Sequence, residues 1–206
     1  DHESSAAVVE ALFGNYAEAK SSARSADRLS TGRDPKHDSA FAFALSGELA
    51  RAQAIAKDLG ERYPEDTAVQ FSFLPVLNGL IQSARGDAAN ALRALEKASP
   101  YELFVTPRAS TGLTGNLYAV YVRGLVYLKM HQGAQAAAEF QKIVERPGLT
   151  LTDPIGAVAR LQLARAQAIA GNAAKAKESY QKLLELWKDA DADLPIVKAA
   201  LLEARQ

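Results

Sequence analysis

Residues 170–182 read AGNAAKAKESYQK, and residues 130–142 read MHQGAQAAAEFQK. The two phrases align position for position: a turn residue, an alanine five places on (Ala176, Ala136), an aromatic nine on (Tyr180, Phe140), then Gln-Lys. They belong to a longer series. Gly14 leads to Ala19, Gly47 to Ala52, Gly86 to Ala91 and Gly171 to Ala176, while His131 stands in the glycine slot ahead of Ala136. Successive slots are 33, 39, 45 and 40 residues apart, the range in which stacked helical hairpins repeat.

Apolar residues flank each phrase at helical spacing. Ala176, Tyr180, Leu183, Leu184 and Trp187 fall at i, i+4, i+7, i+8 and i+11 after one turn, and Ile155, Val158, Leu161 and Ala164 mark one face before it. Seven residues before every slot the residue is small: Ala7, Ala40, Gly79, Gly124 and Ala164. Short side chains there and at the following alanine let two antiparallel helices approach closely, where a bulky residue would overpack. The expected fold is all-α, an α-α superhelix or solenoid in a single domain over 1–206. Its hairpins are expected at approximately 1–30, 34–63, 67–99, 114–146 and 153–188, with a capping helix over 195–205 carrying Val197, Ala200, Leu201 and Ala204 on its inner face.

Punctuation fits this division. Asp34-Pro35 and Asp153-Pro154 place an N-capping acid before a first-turn proline, and Thr67 to Gln70 reads as a capping box. Pro64 and Pro147-Gly148 stand where second helices should stop. Pro75 should kink the first helix of the third hairpin or mark its start. Two connections are long, 99–116 (SPYELFVTPRASTGLTGN) and 146–153 (RPGLTLTD).

The turn glycine, the alanine five on, the aromatic nine on and the small residue seven before together resemble the tetratricopeptide repeat. Pro64, seventeen after Gly47, matches that family's closing proline. The sequence departs from the pattern at His131 and at Ala56, which holds an aromatic slot, and most of its repeats exceed the family's usual length. The run from Leu117 to Lys198, with the SPYEL segment before it, resembles the C-terminal tetratricopeptide region of bacterial, eukaryotic-like serine/threonine protein kinases. Similar tails occur on some bacterial winged-helix transcriptional regulators. The resemblance implies the non-catalytic, signalling end of a longer protein, an expectation that Asp1 in place of Met also suggests. In many such kinases this region lies outside the cytoplasmic membrane, so an extracytoplasmic position is implied, with the cytoplasm as the alternative.

Other classes of function find little support. Lys plus Arg and Asp plus Glu both number 24, so no global field draws the chain to nucleic acid or an anionic bilayer. Phe71 to Ile81, the longest apolar stretch, contains Pro75 and Asn78 and is shorter than the roughly 20 residues of a membrane helix. No cysteine is present, which removes disulfide and thiolate chemistry. His2, His37 and His131 are scattered without metal-ligand spacing. Asp189, Asp191 and Asp193 mimic the opening of a calcium loop, but Leu194 and Ala200 hold its glycine and glutamate positions. The STGLTG stretch (110–115) lacks the lysine of a phosphate loop, and kinase catalytic motifs are missing from the sequence. No cofactor, catalytic residue or metal site is expected.

A protein or peptide partner suits an array of hairpins better, since the first helices line one concave face. Residues six, ten and thirteen before the turn slots give His37, Phe41, Phe73, Val76, Leu80, Tyr118, Tyr121, Leu125, Leu161 and Arg165. Aromatic rings with one arginine suit a peptide groove, and the same residue types also suit inter-helix core. Self-association through the ends of the array, giving a homo-oligomer, is the alternative.

Overall fold

A computed structural model describes residues 2–103 and 117–205. Among the described residues the chain is all-helical, with twelve α-helices and no strand. They are α1 (His2–Phe13), α2 (Tyr16–Leu29), α3 (Arg33–Leu45), α4 (Leu49–Arg62), α5 (Leu74–Ala84) and α6 (Ala88–Glu96), then α7 (Leu117–Lys129), α8 (Gly133–Val144), the single turn α9 (Pro147–Thr150), α10 (Ile155–Ile169), α11 (Ala173–Leu186) and α12 (Pro195–Glu203). Five pairs pack against each other: α1 with α2, α3 with α4, α5 with α6, α7 with α8 and α10 with α11.

The five turns between paired helices share one geometry. Gly14, Gly47, Gly86 and Gly171 have φ of 85°, 91°, 85° and 78°, and His131 adopts φ 56° in the same slot. The amide after each of these residues donates to the carbonyl five residues back: Asn15 to Glu10, Glu48 to Phe43, Asp87 to Gln82, Gln132 to Tyr127 and Asn172 to Gln167. This is the bond that ends a helix in a left-handed residue and satisfies its last carbonyls.

The small residues nest as the spacing implies. Ala7, Ala40, Gly79, Gly124 and Ala164 are all buried, as are Ala19, Ala52, Ala91, Ala136 and Ala176. Side-chain volume is traded across the pair: a Cβ on Gly79 would lie 2.8 Å from Leu95, and one on Gly124 would lie 2.6 Å from the Phe140 ring. Leu95 and Phe140 occupy the slot nine after the turn, so glycine opposes a large residue there. The first two hairpins instead set Ala7 and Ala40 against Ala23 and Ala56 in the matching slots.

Successive pairs are joined because each second helix also packs on the next first helix, α2 on α3, α4 on α5, α6 on α7 and α8 on α10. First helices touch their neighbours from α1 through α3, α5 and α7 to α10, and α1 also touches α10. At that junction the rings of Phe13 and Trp187 lie 6.3 Å apart, and a Cβ on Gly14 would sit 3.5 Å from Pro195.

Local details differ from the sequence expectations. Gly32, not Asp34, caps α3, and the Asp34 carboxylate pairs with Arg33 at 2.8 Å. Asp66, one residue before the expected capping box, accepts from the Val69 amide at 3.0 Å, while Gln70 reaches back to the Tyr63 carbonyl. Pro154, not Asp153, holds the N-cap position of α10, and the Asp153 carboxylate just before it accepts from the Ile155 amide at 2.9 Å. Pro75 sits inside a helix that begins at Thr67; the stretch Val69–Phe73 is a π turn, with the Leu74 amide donating to Val69. That wider turn opens the ladder just upstream of the ring, where a regular α turn would clash. Pro147 both follows α8 and begins α9. In α12 the buried residues are Ile196, Val197 and Ala200, whereas Leu201 is exposed. Most of the 99–116 connection, with its STGLTG stretch, lies outside the described residues.

The turns make separable predictions for chemical denaturation. At Gly47 a Cβ would meet nothing within 4 Å, so Gly47→Ala should lose about 1–2 kcal/mol through backbone strain alone. His131→Gly relieves the same strain and should be neutral or stabilise by up to about 1 kcal/mol. Gly124→Ala should cost roughly 1–3 kcal/mol by overpacking. A concurrent Phe140→Leu should recover part of that loss, and simple additivity of the two would count against the volume exchange.

Candidate functional site

Of the inward-facing candidates, His37, Phe41, Phe73, Val76, Leu80, Tyr121 and Leu161 are buried, and Tyr118, Leu125 and Arg165 are half-buried. Their burial follows from how tightly the first helices converge. His37 stacks on Phe73 with centroids 4.0 Å apart, joining α3 to the π turn. Phe41 of α3 meets Tyr118 of α7 edge-on at 5.2 Å, although these helices belong to alternate hairpins. Tyr118 also donates its hydroxyl to Asp153 at 3.0 Å. Much of this face is therefore interior, formed by rings that bridge hairpins.

The polar part of the set gathers around Arg165 on α10. Its Nε and Nη2 donate to the two carboxylate oxygens of Glu203 on α12, each at 2.7 Å, a bidentate pair. The Tyr180 hydroxyl from α11 donates to the same carboxylate at 2.9 Å. Gln162, one turn before Arg165, accepts from Nη1 at 3.3 Å, and Tyr121 lines the same small cleft as both. Burial acts to lower the Arg165 pKa, but the Glu203 hydrogen bonds and charge outweigh it and hold the guanidinium charged. Burial pushes both tyrosine hydroxyls up, and the Glu203 carboxylate reinforces this at Tyr180. None of these hydroxyls acts as a base near neutral pH.

Two clefts meet at Arg165. One of about 600 Å³ is lined by Leu125, Leu128 and Lys129 of α7, by Ala168 and Ile169 of α10, and by Glu203. The other, of about 270 Å³, lies between the end of α1, Tyr16, Leu45, Tyr121 and the start of α12. Sequence reasoning placed Arg165 and Tyr121 on one face but missed Glu203 and Tyr180; no local pattern signals a pairing that spans 38 residues.

A second charged centre was also missed. Arg123 of α7 lies between Glu102 at 2.5 Å and Glu139 of α8 at 2.8 Å, and Lys142 reaches Glu139 at 2.8 Å. All three members of the Arg123 triad are largely buried, with side chains 11–15% exposed. The triad ties the start of the 99–116 connection to the fourth hairpin. Among the described residues, no group of three or more His, Cys, Asp or Glu side chains is placed to hold a metal ion, and no helix is long and apolar enough to cross a membrane.

The chain matches no family model, and no curated protein matches it. The described residues form an all-α protein of helix pairs with a polar cluster between its fifth hairpin and its last helix.

Removing Arg123 would leave the largely buried Glu102 carboxylate without its cation and Glu139 with Lys142 alone. Arg123→Met should lower stability by roughly 3 kcal/mol at pH 7. Chemical denaturation of the two chains at pH 7 measures the deficit, and equal midpoints would contradict the pairing.

Proposed function

We propose that the chain is a non-catalytic helical-repeat module, an α-α superhelix of the tetratricopeptide type, that binds a protein or peptide partner. The observation that supports this reading is the five-fold recurrence of one turn geometry with nested small residues, beside an open surface depression at Leu125 and Arg165. A cleft with apolar walls and a charged anchor suits a side chain on a partner's backbone. The resemblance of residues 117–198 to kinase C-terminal regions extends the proposal: the module is the sensor or scaffold region of a bacterial serine/threonine kinase. A winged-helix regulator is the alternative parent.

A photo-crosslinking amino acid at position 125 should yield a discrete adduct with a partner in native extract. The same group at Lys57, which is exposed on α4, should not. Adducts at both positions, or at neither, would refute a binding cleft here.

Self-association is favoured by a different observation. Leu186, Leu201 and Leu202 are 59%, 37% and 63% exposed on the last two helices, large apolar side chains that association between copies would bury. Light scattering across a concentration series decides it: a constant monomer mass removes this reading, and a rise abolished by Leu202→Glu supports it.

A further inference from the structure

The last helix, α12, is more than a cover for the fifth hairpin. It buries three apolar side chains, Ile196, Val197 and Ala200, and leaves Leu201 and Leu202 in solvent. An exposed, acid-rich connection containing Asp189, Asp191 and Asp193 joins it to α11. Its one strong polar attachment is the Glu203 carboxylate, held by Arg165 and Tyr180. On one side of that attachment lies a broad, shallow surface along Leu125, Leu128 and Ile169, and on the other a cleft of about 270 Å³, the smaller of the two. Ala199 faces the smaller one with only a methyl group. α12 thus satisfies the charge of its seat and underfills its volume.

We propose that α12 is an internal competitor occupying a seat for an amphipathic, acidic helix of a partner protein. Glu203 takes the place of the partner's carboxylate on Arg165. This deepens the peptide-binding reading above and rests on it. The expected ligand carries an acidic residue in the register of Glu203 and side chains larger than Ala199 one turn before it. Those side chains gain affinity by filling the clefts that α12 leaves open. A second copy of α12 would underfill the same space, which favours a different protein over exchange between copies. Lys129, on the rim of the larger cleft with its Nζ at 2.6 Å from the Ser83 carbonyl, adds a second cation for an acidic ligand. Because the seat is already filled, apparent affinity in the intact chain is reduced by the fraction of molecules in which α12 is docked.

The test uses the full chain and a labelled synthetic peptide of residues 190–206, in native sequence and with Ala199→Leu. Glu203→Ala should bind the native peptide at least tenfold more tightly than the wild-type chain does. The Ala199→Leu peptide should bind Glu203→Ala about tenfold more tightly again, and adding Arg165→Met should abolish binding of both peptides. Equal binding by wild type and Glu203→Ala would overturn the proposal. So would a Glu203→Ala chain that dimerises and does not distinguish the two peptides, since a second copy would then be the occupant. Should Glu203→Ala unfold, hydrogen exchange on the wild-type chain decides: α12 amides must exchange at least tenfold faster than those of α10 and α11, and equal protection overturns the idea. A flat peptide titration alongside a specific adduct at position 125 would remove the role of α12 alone. Loss of both would remove the binding reading itself.

Discussion

The left-handed residue between the helices of each pair fixes how closely and at what angle those helices can return, and every later contact depends on it. Four glycines reach this state without penalty, and His131 is held in it by the same hydrogen bond from the following amide. Once the turn is set, the positions seven before and five after it are brought into the interface, and only short side chains fit. In the third and fourth hairpins, where Leu95 and Phe140 stand nine after the turn, the facing position loses its last methyl group and is glycine, whereas the fifth keeps Ala164 with Tyr180 in the matching slot. The interface is a volume balance repeated with different entries, which is how close-packed interiors tolerate sequence variation.

Stacking these pairs produces an inner layer of first helices that converge enough for alternate hairpins to touch, as Phe41 and Tyr118 do. Such convergence trades open surface for core. One of the polar centres lies beside the last helix, where Arg165, Glu203, Gln162 and Tyr180 form one connected network. Charge on Arg165 is maintained against burial by a partner from another helix. Any binding event there must match or replace that partner, because stripping it would leave a half-buried guanidinium uncompensated.

Helix pairing was legible in the sequence because its cause is local: slots at fixed offsets from a turn, with His131 found by position despite its chemistry. The inner-face residues were legible as a set, since helical periodicity alone decides which side they occupy. What escaped depended on distant contacts or short windows. The Arg165–Glu203 pair spans 38 residues. Gly133 passes as a helix residue in sequence, yet a Cβ there would lie 2.4 Å from the Ala170 backbone amide nitrogen. In α12, nine residues are too few to fix the phase of the apolar stripe, so Leu201 exchanged places with Ile196. The π turn ahead of Pro75 answers to ring sterics that binary patterning does not encode.

The contact between α1 and α10 carries a consequence for how the protein comes apart. An open row of repeats melts from its ends inward, each unit lost with little effect on those beyond its neighbour. Here the terminal members hold each other through Phe13, Trp187, Gly14 and Pro195. Neither can fray without breaking a junction between opposite extremities, so local openings are coupled and the molecule gains cooperativity that its repetitive grammar would otherwise deny it.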